Sequence, residues 1–81
     1  MTREKIYERL NFIFRNVFDD DGITVTDNTV SDDIEDWDSL MNINLMLAIE
    51  SEFGLKIAMQ EIVAFWNVSD IVDIILMRAT K

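Results

Sequence analysis

The sequence contains no cysteine, no histidine and no proline, and only two glycines among its 81 residues. Without cysteine there are no disulfides, thiol nucleophiles or thiolate metal ligands, a composition that fits a reducing compartment. Without histidine, the commonest general base near neutral pH and the commonest imidazole ligand are missing as well. What remains for chemistry is carboxylates, serines and one tyrosine. A carboxylate pair does acid–base work only in a cleft that raises one of its pKa values, and so short a chain rarely forms one. No catalytic residue is expected, and no enzyme. There is also no apolar run near the roughly 20 residues that span a bilayer. The start, Met1-Thr2-Arg3-Glu4-Lys5, alternates in charge and lacks the apolar stretch of a signal peptide. A soluble, cytoplasmic, single-domain protein over residues 1–81 is the expectation.

Positive charge is scarce. Seven lysines and arginines face sixteen aspartates and glutamates, a formal charge of −9. Such a chain is repelled by nucleic acid and by anionic lipid, so neither is expected as a partner. Proteins with basic surfaces are.

Nearly half of the residues are apolar, enough for a core, and they fall at helical spacing. Thr2 caps a first helix in which Ile6, Leu10, Ile13 and Val17 form a stripe widened by Phe14 and Phe18. Asp19-Asp20-Asp21-Gly22 breaks that pattern. From Ile23 to Trp37 the chain is acidic, with isolated apolar residues at Ile23, Val25, Val30, Ile34 and Trp37. Ile23–Thr26 alternates like a strand but has no second strand to pair with, so the segment reads as a long loop pinned by those apolar side chains. A second helix runs from Ser39 to Phe53, with Leu40, Ile43, Leu47 and Phe53 as core contacts and Gly54 as a left-handed C-cap. Met59 to Trp66 predicts a short third helix. Asn67 then caps a last helix, supported by Asp70, that buries Val68, Ile71, Val72 and Ile75 and ends near Arg78. The fold class is all-α: a small four-helix bundle, three helices longer and one short, with a long first loop.

Two features carry candidate chemistry. Gly22 resembles the middle of a calcium-binding loop, but the first ligand position falls on Val17 and the last on Asn28 instead of a glutamate. No specific metal site is expected there, and Asp32, Asp33, Glu35 and Asp36 read as a solvated acidic loop. The second is Asp36-Trp37-Asp38-Ser39-Leu40. A serine opening a helix is ordinarily its cap, whose replacement by alanine costs about 0.5–2 kcal/mol. Alternatively its hydroxyl is exposed at the helix N-terminus for another enzyme to modify. A phosphodiester there gains about 0.3–1 kcal/mol from the helix dipole, but Asp36 and Asp38 oppose it. Reversible phosphate binding is therefore disfavoured, whereas covalent attachment is not. Position and charge alone are compatible with both readings.

The residues around Ser39 go further. Asp38-Ser39-Leu40 followed by Leu45, Ala48, Ile49, Glu50, Glu52 and Phe53 resembles the second helix of acyl carrier proteins, with the family's spacing kept. Gly54-Leu55-Lys56-Ile57, a short helix and the run Asn67–Ile75 continue the resemblance, ungapped from about Asp36 to Ile75. It implies that Ser39, flanked by the motif residues Asp38 and Leu40, carries a covalent 4′-phosphopantetheine. A phosphopantetheinyl transferase would move that arm from coenzyme A, and its thiol would hold acyl groups as thioesters. The implied partners, besides that transferase, are acyl-loading and acyl-using biosynthetic enzymes whose basic surfaces dock on the acidic face. The residues implied at the docking surface are Met41, Asn44, Glu50 and Glu52, and the carrier is expected to be a monomer.

Met41 and Asn44 stand where fatty-acid carriers usually show acidic residues, and Ser51 replaces another. Trp37 and Phe65-Trp66-Asn67 are more similar to discrete carriers of specialised pathways, fatty-acid-like or polyketide-like. The glycine-rich approach of peptidyl carriers is absent. The reading from another class is an acidic interaction domain that keeps the carrier fold and is never acylated. Modification of Ser39 separates the two.

Overall fold

The computed structural model describes residues 2–79. The single-domain expectation also covers Met1, Thr80 and Lys81, which lie outside the described residues. Among the described residues there are four α-helices: α1 Arg3–Val17, α2 Ser39–Phe53, α3 Met59–Ile62 and α4 Val68–Arg78. None of them is long and apolar enough to cross a membrane.

Helix α1 begins where its capping residue dictates, the Thr2 hydroxyl accepting from the Lys5 amide at 3.2 Å. Its stripe Ile6, Leu10, Ile13 and Phe14 is buried, and Phe18 follows it into the core. The break after α1 is made by Asp19, whose φ of 50° is left-handed, and not by Gly22. Helix α4 buries Val68, Ile71, Val72 and Ile75. It is opened by Asn67, whose side-chain oxygen accepts from the Asp70 amide at 2.8 Å. Helix α1 packs against both α2 and α4, and α3 packs against α2. Between α2 and α3, Gly54 adopts φ 66° and closes α2 by donating to the Glu50 carbonyl at 2.9 Å. Only glycine takes that conformation without steric cost.

Three expectations need correction. In α2, Leu40 and Leu47 are exposed, and the buried face is Asn42, Leu45, Met46, Ile49 and Phe53. The helix carries two competing stripes at helical spacing, 40-43-47 and 42-45-46-49-53. The second wins although its first member is an asparagine. Helix α3 ends at Ile62, one turn short of Trp66. Beyond it the chain must extend to reach the Asn67 cap, and the Trp66 carbonyl accepts from the Ser31 amide at 2.8 Å. Val30 is exposed and does not pin the loop by burial. Instead its segment bridges Asn67 in antiparallel fashion, with the Val68 amide donating to the Thr29 carbonyl at 2.9 Å, and a 3-10 turn follows at Ser31–Asp33.

The rest of the long loop is held by a polar stripe on α1 that hydropathy does not reveal. Arg3, Tyr7, Asn11 and Arg15, each four residues apart, face the loop in reverse order. Arg3 pairs with Asp27 at 2.5 Å, and the Tyr7 hydroxyl donates to the same carboxylate. The Asn11 side-chain oxygen accepts from the Val25 amide at 2.6 Å, and Arg15 Nε donates to the Ile23 carbonyl at 2.7 Å. At the other end of the molecule, Arg78 grips Glu61 (Nη1 to Oε1, 2.7 Å) and the Lys56 carbonyl, tying α4 to α3. The Arg78 contact, with help from the Ala58 amide, holds the Glu61 carboxyl below its ordinary pKa.

The stitching has a pH signature. Burial first, and then the bond to Asp27, push the Tyr7 hydroxyl up to about 12. The folded chain thus holds this proton more tightly than the unfolded one. The contribution is complete below pH 10.0, the ordinary value, and is lost as pH rises towards 12. Titrating tyrosinate absorbance in the native protein should show this single tyrosine still protonated where the urea-unfolded chain ionises. Asp27→Asn should recover only part of the shift, because burial is the larger cause. Native ionisation coincident with that of the unfolded chain would contradict the half-buried, hydrogen-bonded placement.

Candidate functional site

Ser39 stands at the first position of α2, exposed, and it is not the cap. That role belongs to Asp38, whose Oδ1 accepts from the Met41 amide at 2.9 Å while its carbonyl accepts from the Asn42 amide at 2.8 Å. Of the two readings left open for Ser39, the capping role falls to Asp38, one residue earlier. The physical reason is that a carboxylate is as good a cap as a hydroxyl and gains from the dipole besides. With the cap supplied by Asp38, the Ser39 hydroxyl enters no side-chain hydrogen bond among the described residues.

The approach to Ser39 is tied down by hydrogen bonds and ring contacts. Two tight turns precede it, with the Trp37 amide donating to the Ile34 carbonyl at 3.1 Å and the Asp38 amide to the Asp36 carbonyl at 3.0 Å. The Trp37 ring is buried, edge-on to Phe14 with centroids 5.4 Å apart and tilted against Phe18 at 6.3 Å. Its Nε1–H donates to Asn42 Oδ1 at 2.9 Å, and Asn42 Nδ2 donates to the Ile62 carbonyl at 2.7 Å. Trp37, two residues before the serine, is thus tied to α1 by ring contacts and to α2 and α3 through Asn42. Sequence reasoning treated Trp37 as a loop anchor and missed Asn42. The signal was there: an asparagine on the stripe 42-45-46-49-53.

The other candidates separate. Leu40, beside the serine, is exposed, and Met41 is half-buried with its sulfur 3.8 Å from the exposed Asn44 amide nitrogen. Glu52 is exposed and pairs with Arg9 of α1 at 3.5 Å. Glu50 is half-buried and turned inward, its Oε2 accepting from the Ile57 amide at 2.7 Å. The task the structure gives it is to hold the chain after α2. Met41 and Asn44 therefore lie by the serine, whereas Glu50 and Glu52 lie at the far end of the helix and are already engaged. Among the described residues no group of three or more carboxylates is placed to hold a metal ion.

A hydroxyl that receives a bulky arm from another enzyme must be exposed and unengaged. Ser39 meets both conditions at the start of a capped helix, so the residues present fit a covalent phosphodiester. Comparison with known proteins points the same way. The family profile described as "phosphopantetheine attachment site" matches residues 13–75. A curated acyl carrier protein of Coprothermobacter proteolyticus is 32% identical over 77 residues, covering 93% of this chain and 92% of that protein. The solution NMR structure of a holo acyl carrier protein from Geobacter metallireducens superposes with a TM-score of 0.80 at 39% identity, covering 89% of this chain and 83% of that one.

Proposed function

This chain belongs to the phosphopantetheine-attachment family, and from that premise we propose that it carries acyl groups as thioesters on a 4′-phosphopantetheine arm at the Ser39 hydroxyl. A member of that family is a carrier and not a catalyst. The observation that carries the assignment to Ser39 is the division of labour at the start of α2: Asp38 caps, and the serine hydroxyl is left exposed and unengaged.

Attachment forms the bond from the Ser39 oxygen to phosphorus and breaks the pyrophosphate P–O bond of coenzyme A. The nucleotide half leaves as a phosphate with that bond's electron pair, and the hydroxyl proton passes to solvent. A phosphopantetheinyl transferase performs the step. The arm supplies the reactive sulfur that a chain without cysteine lacks. The chain's own residues position and present. Asp38 fixes the first turn of α2, Trp37 fixes the approach, and Leu40 lies exposed beside the arm's root.

Partner enzymes that load and use the acyl group meet the α2 face. Met41 and Asn44 offer it an apolar and a neutral polar contact. Glu52 adds charge once Arg9 is displaced, and Glu50 adds field without a free carboxylate. The charge of −9 steers this chain towards basic docking surfaces, so such complexes should weaken as ionic strength rises. The carrier works as a monomer in the cytoplasm, in a fatty-acid-like, polyketide-like or other specialised biosynthesis.

The test is incubation of the purified chain with coenzyme A and a broad-specificity phosphopantetheinyl transferase, followed by intact-mass measurement. The folded protein should gain the mass of one phosphopantetheine. No gain with several transferases would overturn the carrier reading in favour of an interaction domain that keeps the fold alone.

A further inference from the structure

Among the described residues Asn42 is the only buried side chain of a polar type, 1% exposed. An apolar residue would complete the stripe of α2 as well, and without a need for partners. The asparagine instead finds two, and they fix its orientation. The Trp37 indole can only donate and the Ile62 carbonyl can only accept, so Oδ1 faces Trp37 and Nδ2 faces Ile62. It thereby bolts the seam between α2 and α3. Ser39 lies three residues earlier on α2, so the two side chains are one turn apart on the same side of the helix. The seam that Asn42 closes therefore borders the turn of α2 that carries Ser39.

We infer that Asn42 is a specificity-determining residue which latches the α2–α3 seam against apolar cargo, so that this carrier serves short or polar acyl groups held outside the bundle. The inference rests on the Ser39 reading above. An alkyl chain entering the seam must part Asn42 from the Ile62 carbonyl. It offers no hydrogen bond in return, leaving a buried amide N–H and a carbonyl stranded in apolar surroundings. No buried side-chain nitrogen or oxygen among the described residues now lacks a partner, so opening the seam would create the first. Three surface clefts lie elsewhere. Two run along the acidic loop, past Asp20, Ile23, Asp33 and Ile34, and a third lies between α1 and α2, walled by Phe12, Val17 and Ala48. None of the three is lined by Ser39, Asn42 or Ile62.

The experiment loads the wild type and Asn42→Ala with acetyl and with decanoyl arms, each checked by intact mass. Failure to load at this stage counts against Ser39 as the carrier site and is thus distinguishable from failure of the latch. The four loaded proteins are then melted. For the wild type, the decanoyl and acetyl forms should melt within about 1 °C of each other. The amide signals of Ile62 and Val63 should also coincide in the two forms. For Asn42→Ala, the decanoyl form should melt above its acetyl form by about 5 °C or more, as expected when an alkyl chain gains burial in a small domain. A wild type stabilised by decanoyl, with Ile62 shifted, overturns the latch. So does a folded Asn42→Ala that decanoyl leaves unchanged. If Asn42→Ala does not fold, the wild-type pair decides alone.

Discussion

Replacing Phe14 with alanine is expected to cost about 3–5 kcal/mol, which for a chain of this size is a large share of the total stability. Phe14 is fully buried, and its ring meets Phe18 at 5.8 Å and Trp37 at 5.4 Å. Truncation removes the central member of that aromatic cluster, so α1, the chain leaving α1 and the approach to Ser39 lose their common contact. The surroundings cannot close the gap cheaply, because Phe18 and Trp37 are each held by their own backbone turns. Urea unfolding followed by circular dichroism should show the midpoint fall steeply, or no folded baseline at all. Phe12, two residues earlier on α1 but 64% exposed, supplies the control. Its alanine variant should stay within about 0.5 kcal/mol of the wild type. Similar costs for the two would contradict the face on which α1 packs.

The second large effect separates two neighbouring residues. Ser39→Ala should abolish arm attachment completely while leaving stability within about 0.5 kcal/mol, because Ser39 does not cap α2. Asp38→Ala should cost about 0.5–2 kcal/mol as a lost cap, and should slow attachment without abolishing it, because the Ser39 hydroxyl is still present. The two readouts are intact mass after treatment with a transferase and coenzyme A, and the urea midpoint. A Ser39→Ala variant as destabilised as Asp38→Ala would mean that the serine hydroxyl belongs to the fold. An Asp38→Ala variant that lost nothing in stability would contradict the capping geometry.

Much of this was legible in the sequence where side-chain chemistry and spacing pointed to one answer. Thr2, Gly54 and Asn67 each mark a helix boundary by a local mechanism, and each boundary is where the residue places it. Helices α1 and α4 have one apolar stripe apiece, so their buried faces follow from spacing alone. Helix α2 has two, and spacing cannot choose between them. The choice is made by partners remote in sequence, Trp37 and the Ile62 carbonyl, which give Asn42 a reason to be inside. The length of α3 is likewise set from outside: its closing turns at Val63 and Ala64 give way at Phe65 and Trp66 to the bridge between Val30 and Asn67. The polar stripe Arg3-Tyr7-Asn11-Arg15 was invisible for a related reason. Hydropathy scores it as solvent-facing, whereas its donors and acceptors meet loop backbone and Asp27. At the site itself, Ser39 could be singled out from its neighbours, but its freedom from the capping role depends on where the helix starts to within one residue. Glu50 shows the opposite limit. Its charge was legible, and its bond to the Ile57 amide was not, because that bond forms only once Gly54 has turned the chain back.

The most direct measurement is fragmentation mass spectrometry of the tryptic peptide running from Asn16 to Lys56, taken after transferase treatment with coenzyme A. That peptide contains Ser31, Ser39 and Ser51 together with several threonines, so it offers the arm other hydroxyls. The fragment series should place a single phosphopantetheine on Ser39 and leave every other hydroxyl unmodified. An arm on Ser31, Ser51 or a threonine, or a peptide left wholly unmodified, would contradict it.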